Sequence, residues 1–194
     1  MTPPSEHVHW MFATGFLFLG LCLLAEAVVG EEVWARTRWR AYLWPGVAFV
    51  MGIFMWGVMV FYTTSTIHML AHGLWAQVMM VAGAAELGLV RGKLRSHYWK
   101  LCAAVAFFVS GFAFLLHEQN DWLFQRSSFL HHVEGWIVIF GSAFALGRAL
   151  RPRWVVANAG FAMLFVVVAF CLYADRDLAP IFGHLSPLAG TPHR

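Results

Sequence analysis

The chemistry that this chain offers most clearly is metal binding by histidine. Ten of its 194 residues are histidines, and neutral imidazole is the commonest protein ligand of transition metals. His68 and His72 are four residues apart, which on a helix places both side chains on one face, about 6 Å from each other. Two imidazoles at that spacing can bind one ion, with zinc–nitrogen distances of roughly 2.0–2.1 Å. The same face continues to Trp75, Met79 and Glu86, so it is expected to face the interior of a helical bundle.

Further candidate ligands lie in two other parts of the sequence. His117 is followed directly by Glu118, and the adjacent pair His131 and His132 is followed by Glu134. Small residues lie on the helical stripe of His131, so this side chain is expected to face neighbouring helices, whereas His132 lies about 100° around the helix. The predicted metal-binding residues are His68, His72, His117, His131 and His132, with Glu118 and Glu134 as nearby carboxylates.

The elements that carry these residues are long and apolar. The sequence is 60% hydrophobic and 12% charged, whereas soluble domains are nearer half apolar and a quarter charged. Six apolar runs are long enough to cross about 30 Å of hydrocarbon at about 1.5 Å per residue. They cover residues 10–29, 42–62, 67–90, 99–117, 129–147 and 154–173. The connections are too short for a soluble domain. The sequence therefore predicts one all-α, polytopic membrane bundle over residues 1–194, with six transmembrane helices and a tail over residues 174–194.

The basic residues predict how this bundle is oriented. With both termini outside, the inner connections contain ten lysines and arginines and the outer side contains three, which is a strong positive-inside pattern. The inner ten are Arg36, Arg38, Arg40, Arg91, Lys93, Arg95, Lys100, Arg148, Arg151 and Arg153. Nine of the ten histidines then lie at the extracytoplasmic face of the cell membrane, and only His97 lies inside. A cleaved signal peptide ending near Ala27 is the alternative for the first span, but the leader before that span has no basic residue.

One part of the sequence resembles a known family. The segment FFVSGFAFLLHEQNDWLFQRSSFLHH, residues 107–132, is similar to the transmembrane protein 45 family, which consists of multi-span proteins of unknown function. In that family an apolar span ends in His-x-His and a histidine opens the next span. The matching positions are His117, His131 or His132 and, in an earlier histidine-bearing span, His68 or His72. If His117 is the first histidine of His-x-His, Gln119 stands in place of the second, and if His117 is the second, Leu115 stands in place of the first. The family's N-terminal Gly-His-x-Leu-Pro-Gly is also missing. The resemblance implies a histidine-lined bundle and no particular reaction.

The types of donor atom expected near the predicted site indicate which metal it binds. Imidazole and thioether groups both bind copper, so the combination of histidines and methionines favours this metal. The methionines concerned are Met11, Met59 and Met69. Zinc and iron also bind histidine clusters, although no Cys2His2 pattern for a closed structural zinc site is present. A b-type haem held between His72 and His117 or His131 is an alternative cofactor.

Three functions are open on these grounds. The first is binding of a transition metal, copper first, at the outer face of the membrane, for metal handling or a metal-dependent redox step. The second is a zinc-dependent intramembrane hydrolase acting on lipid, for which Asp121 and Ser65 are the available acid and hydroxyl. The third is a haem-binding or non-catalytic membrane subunit whose histidines tune packing and pH response. The expected partners are the lipid bilayer and a membrane or extracytoplasmic protein. The isoelectric point near 9 is explained by the basic residues of the inner loops, so nucleic acid is not expected as a partner.

Overall fold

The computed structural model describes residues 5–62, 66–117 and 126–175, and this part of the chain is almost entirely helical. Its α-helices are α1 (Ser5–Val29), α2 (Glu31–Ala35), α3 (Leu43–Tyr62), α4 (Thr66–Val90), α5 (Leu101–His117), α6 (Arg126–Leu150) and α7 (Val155–Ala174). Two short 3-10 segments, Arg38–Tyr42 and His97–Lys100, precede α3 and α5. Among the described residues, six helical segments are long and apolar enough to cross a membrane. They are α1, α4, α6 and α7, together with α3 and α5 when each is taken with the 3-10 segment before it. The described residues thus confirm the prediction of six apolar helices.

The bounds of α6 differ from the predicted span in a way that matters for the basic residues. The predicted span ends at residue 147, whereas α6 continues to Leu150 and carries Arg148 in its last turn. The sequence assigns Arg148 to an inner loop, but the side chain is buried and its Nη2 donates to Glu26 Oε1 over 2.9 Å. An arginine is tolerated within a membrane helix when a carboxylate on a neighbouring helix balances its charge, and Glu26 of α1 does so.

Glycine ends two helices at positions where the backbone must turn. Gly30 (φ 87°) separates α1 from α2, and Gly92 (φ 68°) follows the end of α4. The N–H of Gly92 donates to the Leu89 carbonyl oxygen, and the N–H of Lys93 donates to the Gly88 carbonyl oxygen, each over 2.9 Å. This pair of hydrogen bonds is a Schellman motif. Residues with a Cβ atom are strained at such φ values, so the two glycines set where α1 and α4 stop.

The six long helices form a closed ring. α1 packs against α3 and α7, and the chain passes round the ring in the order α3, α4, α5, α6, α7. The most extensive contacts join α1 with α7, α3 with α4, and α5 with α6. Glycine allows α5 and α6 to approach closely, since a Cβ atom at Gly111 would lie 2.7 Å from the carbonyl oxygen of Gly135. The first and last of the described helices, α1 and α7, are therefore neighbours.

Aromatic side chains fill the middle of the ring. Phe161 of α7 contacts Trp44 of α3 and Phe107 of α5, each edge-on with ring centroids 5.4 Å apart. Phe16 of α1 and Phe165 of α7 extend this layer, with centroids 5.8 Å apart.

The layer lies between two ends of the bundle that differ in polar residues. We name them the histidine end, which contains His9, His72 and His131, and the basic end, which contains Arg91, Lys100 and Arg148.

Large apolar side chains cover the outside of the ring. Val60, Phe140 and Phe170 are 65%, 67% and 62% exposed, and they belong to α3, α6 and α7. A soluble monomer rarely exposes so much contiguous apolar surface. The hydrocarbon of a bilayer would cover it, as expected for a multi-pass membrane protein.

Candidate metal centre

The histidine end brings together side chains from the first and last helices of the ring. His9 lies in the second turn of α1, and Asp175 is the residue that directly follows α7. Asp175 caps α7 with an extended backbone (φ −67°, ψ 133°), while its N–H donates to Leu172 C=O. Because α1 and α7 are neighbours in the ring, this capping residue lies beside His9.

His9, His131 and Asp175 form a group that could hold a metal ion. Each offers one ligand atom, and these atoms all lie within 4.8 Å of one another. His9 Nδ1 is 2.9 Å from Asp175 Oδ2. Donors around a tetrahedral zinc ion are roughly 3.4 Å apart when the bonds are about 2.1 Å long, so small side-chain movements would bring all three onto one ion. Asp175 is 1% exposed and His131 is 4% exposed.

The ring of His131 is packed on three sides. Phe114 of α5 stacks on it with centroids 5.8 Å apart and an interplanar angle of 14°. His72 of α4 meets it edge-on at 6.2 Å, and His9 of α1 meets it edge-on at 5.9 Å. Imidazoles from three helices thus form a row with His131 in the middle. Packing of this kind restricts rotation of the ring and preorganises it for a ligand.

Glu134 places a second carboxyl group beside this row. It follows His131 by three residues on α6, so the two side chains share one helix face. Glu134 is 1% exposed, and neither carboxyl oxygen has a hydrogen-bond partner among the described residues. Asp175 and Cys171 lie close enough to interact with it electrostatically. Burial of an acidic group without hydrogen bonds is unfavourable, and a bound cation would compensate for it.

The predicted ligands fall into two groups in the structure. The residues found at the row of imidazoles are His72, His131 and Glu134. His132 is half-buried beside His131 on α6. His68 lies one turn before His72 on α4 and His117 is the last residue of α5, but both side chains fall outside the described part of the chain. Glu118 also lies outside the described residues. The assignment of all seven residues as a metal site stays a prediction.

The other predicted donors differ in their surroundings. Met11 and Met69 are exposed, whereas Met59 is buried in α3. Cys171 of α7 is within electrostatic range of Glu134 and Asp175. The acid and hydroxyl proposed for hydrolysis, Asp121 and Ser65, lie outside the described residues.

Sequence reasoning missed His9 and Asp175. Taken alone, His9 has the pattern of an interfacial residue before the first span, and Asp175 has the pattern of a tail residue. One feature of the sequence does indicate Asp175 as a candidate ligand. It is an acidic residue directly after an apolar span, at the depth predicted for the histidines. Nothing in the sequence shows that the first and last helices are neighbours, and that adjacency creates the group.

No family model, no curated protein and no solved structure matches this chain significantly. The resemblance to the transmembrane protein 45 family therefore stays a prediction. The site has to be interpreted from its own geometry, which consists of imidazoles from α1, α4 and α6 with carboxyl groups from α6 and the end of α7.

Proposed function

We propose that this chain is a multi-pass membrane protein that binds a divalent transition-metal ion at its histidine end, through His9, His131 and Asp175. The observation that carries the proposal is the approach of one donor atom from each residue to within 4.8 Å of the others. His9 and His131 belong to separate helices and Asp175 directly follows a third one, and two of these residues are almost fully buried. Ionisable groups are costly inside a membrane bundle and usually have a function there.

The donor set bears on which ion is bound. Two imidazole nitrogens and one carboxylate oxygen are the protein ligands of one class of zinc site, which keeps a fourth position open. The same donors also suit iron(II) and copper(II). The sequence-based preference for copper depends on thioether sulfur, and Met11 and Met69 are exposed. Zinc is therefore the first ion to test, followed by copper(II) and iron(II).

The charge pattern supports a proposal for the side of the membrane on which this site lies. The basic end contains the arginines and lysines that the positive-inside rule assigns to the cytoplasm. The histidine end lies at the other end of the same helices. We propose that the metal site faces the outside of the cell membrane, where it would serve metal handling or a metal-dependent reaction.

The experiment is metal analysis of the full chain purified in detergent, before and after incubation with zinc. We expect about one ion per chain in the unchanged protein. The substitutions His131→Ala and Asp175→Asn should weaken binding by at least about 100-fold, because loss of a direct ligand costs more than the 10–100-fold typical of an outer partner. His97→Ala is the matched control, since His97 is exposed and lies at the basic end.

Two results would overturn the proposal. One is a chain that remains free of zinc, copper and iron after incubation with each of them. The other is equal metal content in His131→Ala and His97→Ala. Elution of each variant at the position of the unchanged protein in gel filtration would show that the loss of metal is not a loss of fold.

A second candidate function is zinc-dependent hydrolysis of lipid, which the position of Glu134 favours. A bound zinc ion would polarise a water molecule or an ester carbonyl. Glu134 lies on the same helix face as His131, and its carboxyl oxygens have no hydrogen-bond partner among the described residues, so it could accept a proton there. At saturating zinc, Glu134→Gln should abolish turnover of a fluorescent ester lipid and keep the metal. Unchanged turnover in that variant would exclude Glu134 as the base.

A haem ligated by His72 and His131 stays an alternative. Their rings are nearly perpendicular with centroids 6.2 Å apart, a separation at which two imidazoles can ligate one iron from opposite sides. A visible spectrum of the purified protein tests this point directly, because a haem ligated by two of these histidines would give a Soret band.

A further inference from the structure

The basic end contains a cavity that the metal site does not involve. Its volume is about 590 Å³, within the range of small-molecule sites. The charged residues that line it are Arg38, Arg91, Lys100 and Arg148, with Glu26 and Glu86. Four basic side chains against two acidic ones leave an excess of positive charge, which favours an anionic ligand.

Arg148 is the buried cation of this cavity. It is 9% exposed, and its Nη2 donates to Glu26 Oε1 over 2.9 Å. Its Cζ also lies 5.2 Å from the ring centroid of Phe161. The second terminal nitrogen, Nη1, is buried and has no hydrogen-bond partner among the described residues. The Arg148 guanidinium is thus fixed by Glu26 and Phe161, and its remaining N–H group at Nη1 is suited to bind an oxyanion.

Trp44 supplies a second buried donor in the same place. Its side chain lines the cavity, and its ring packs edge-on against Phe161 with centroids 5.4 Å apart. The indole Nε1 is buried and has no hydrogen-bond partner in the part of the chain that the structure describes. Trp44 and Arg148 both line this cavity, and both contact Phe161. Buried donors are normally paired, so two of them in one cavity indicate an absent acceptor.

We propose that this cavity binds a phosphate monoester, with Arg148 and Trp44 as buried donors and the exposed Arg38 and Arg91 at its mouth. A phosphate monoester carries up to two negative charges near neutral pH and has several acceptor oxygens, which matches the excess charge and the two donors. Two sources offer this group. One is the headgroup of phosphatidic acid, since basic pockets between membrane helices bind anionic headgroups, and the other is a soluble phosphoester.

The test is calorimetric titration of the full chain in a neutral detergent with three probes. These are dioctanoyl phosphatidic acid, glycerol 3-phosphate and dioctanoyl phosphatidylcholine. We expect phosphatidic acid to bind and phosphatidylcholine, which lacks a monoester phosphate, not to bind. Equal affinity for glycerol 3-phosphate would support the site and identify a soluble ligand. Affinity for phosphatidic acid at least tenfold higher would support it and identify a lipid.

Two variants distinguish binding within this cavity from a general attraction of anions to the positive charge of the basic end. Trp44→Phe removes the indole N–H and keeps an aromatic ring against Phe161, so it should weaken binding by about tenfold. Arg38→Gln removes an exposed charge at the mouth and should weaken binding by about fivefold. Arg95→Gln is the matched control, because Arg95 is exposed at the same end and does not line this cavity.

Three outcomes would overturn the proposal. The first is no binding of either phosphate probe, and the second is equal binding of phosphatidylcholine and phosphatidic acid. The third is an Arg95→Gln variant that loses as much affinity as Arg38→Gln, since binding would then reflect only the charge of the basic end. Thermal unfolding of Trp44→Phe shows whether that variant is folded, and Arg38→Gln tests the site without altering a buried residue.

Discussion

At Glu134 both carboxyl oxygens are buried without a hydrogen-bond donor among the described residues, and the carboxyl group of Asp175 lies within electrostatic range. Two acidic groups that share one buried region destabilise each other when charged. Three imidazoles lie nearby, and a divalent ion among them would give both carboxyl groups a positive neighbour. The role that best explains Glu134 is therefore an indirect one, in which its carboxyl group lies next to the direct ligands His9, His131 and Asp175 and strengthens metal binding by its charge.

The substitution Glu134→Gln tests this role at the scale of one residue. It should weaken zinc binding by about 10–100-fold, as is typical of carboxylates beside a metal site, while His131→Ala should weaken it further. Ser110→Ala is the control, because the Ser110 hydroxyl is also fully buried without a hydrogen-bond partner among the described residues but carries no charge. Competition with a zinc-sensitive dye measures both affinities. Equal zinc affinity in Glu134→Gln and Ser110→Ala would contradict the supporting role.

Periodicity identifies some of these residues from the sequence. His72 is predicted to face inward because Trp75 and Met79 continue its helix face, and His131 because the small residues Gly135 and Ser142 continue its own. Both histidines are buried. The same reasoning fails for His9, which lies too near the start of α1 for a stripe on both sides to define its direction. Asp175 has no helical periodicity at all, because it is the capping residue after α7.

At the scale of helices, the pair α5 and α6 positions His131. Gly111 and Gly135 let the two backbones meet, since a Cβ atom at Gly111 would lie 2.5 Å from Ile139 Cγ1 and 2.7 Å from Gly135 O. The carbonyl oxygen belongs to the helix backbone and cannot move aside alone. His131 lies one turn before Gly135 on α6, so a displacement of this helix would also displace the central imidazole of the row.

Gly111→Ala should therefore lower both stability and metal affinity. Forcing a methyl group into this contact should cost about 1–3 kcal/mol of unfolding free energy. Gly57→Ala is the matched control in α3, because a Cβ atom there meets nothing within 4 Å and alanine favours a helix by about 1 kcal/mol. Thermal unfolding in detergent and zinc titration measure the two effects. A Gly111→Ala protein as stable as Gly57→Ala would show that the two helices do not pack through these glycines.

At the scale of the whole molecule, the number of helices was predictable and their arrangement was not. Length and hydropathy are properties of each segment alone, so the sequence predicts six apolar runs, and the described residues contain six matching helices. The ring order depends on contacts between distant segments, such as the 2.8 Å hydrogen bond between the hydroxyl groups of Thr14 and Tyr173. Lateral contacts of this kind follow from the shapes of two helices together, and no pattern within one helix specifies them.

The two proposed sites lie at opposite ends of one ring, with the aromatic layer around Phe161 between them. Arg148 packs on the basic side of that layer, and the row of imidazoles lies at the other end. If the chain spans the bilayer as the positive-inside pattern predicts, the metal site is open to the outside and the phosphate site to the cytoplasm. The orientation of the ring therefore decides which compartment supplies each ligand.

Cysteine labelling in intact cells tests that orientation. In a background with Cys22, Cys102 and Cys171 replaced by alanine, His7→Cys and Arg95→Cys place single exposed thiols at the histidine end and at the basic end. A membrane-impermeant maleimide should label His7→Cys in intact cells and Arg95→Cys only after the cells are permeabilised, because ten of the thirteen lysines and arginines lie at the basic end. The opposite labelling pattern would place the imidazoles in the cytoplasm. The metal would then have to come from the cytosolic pool, and the cavity at the basic end would meet phosphate groups from outside the cell.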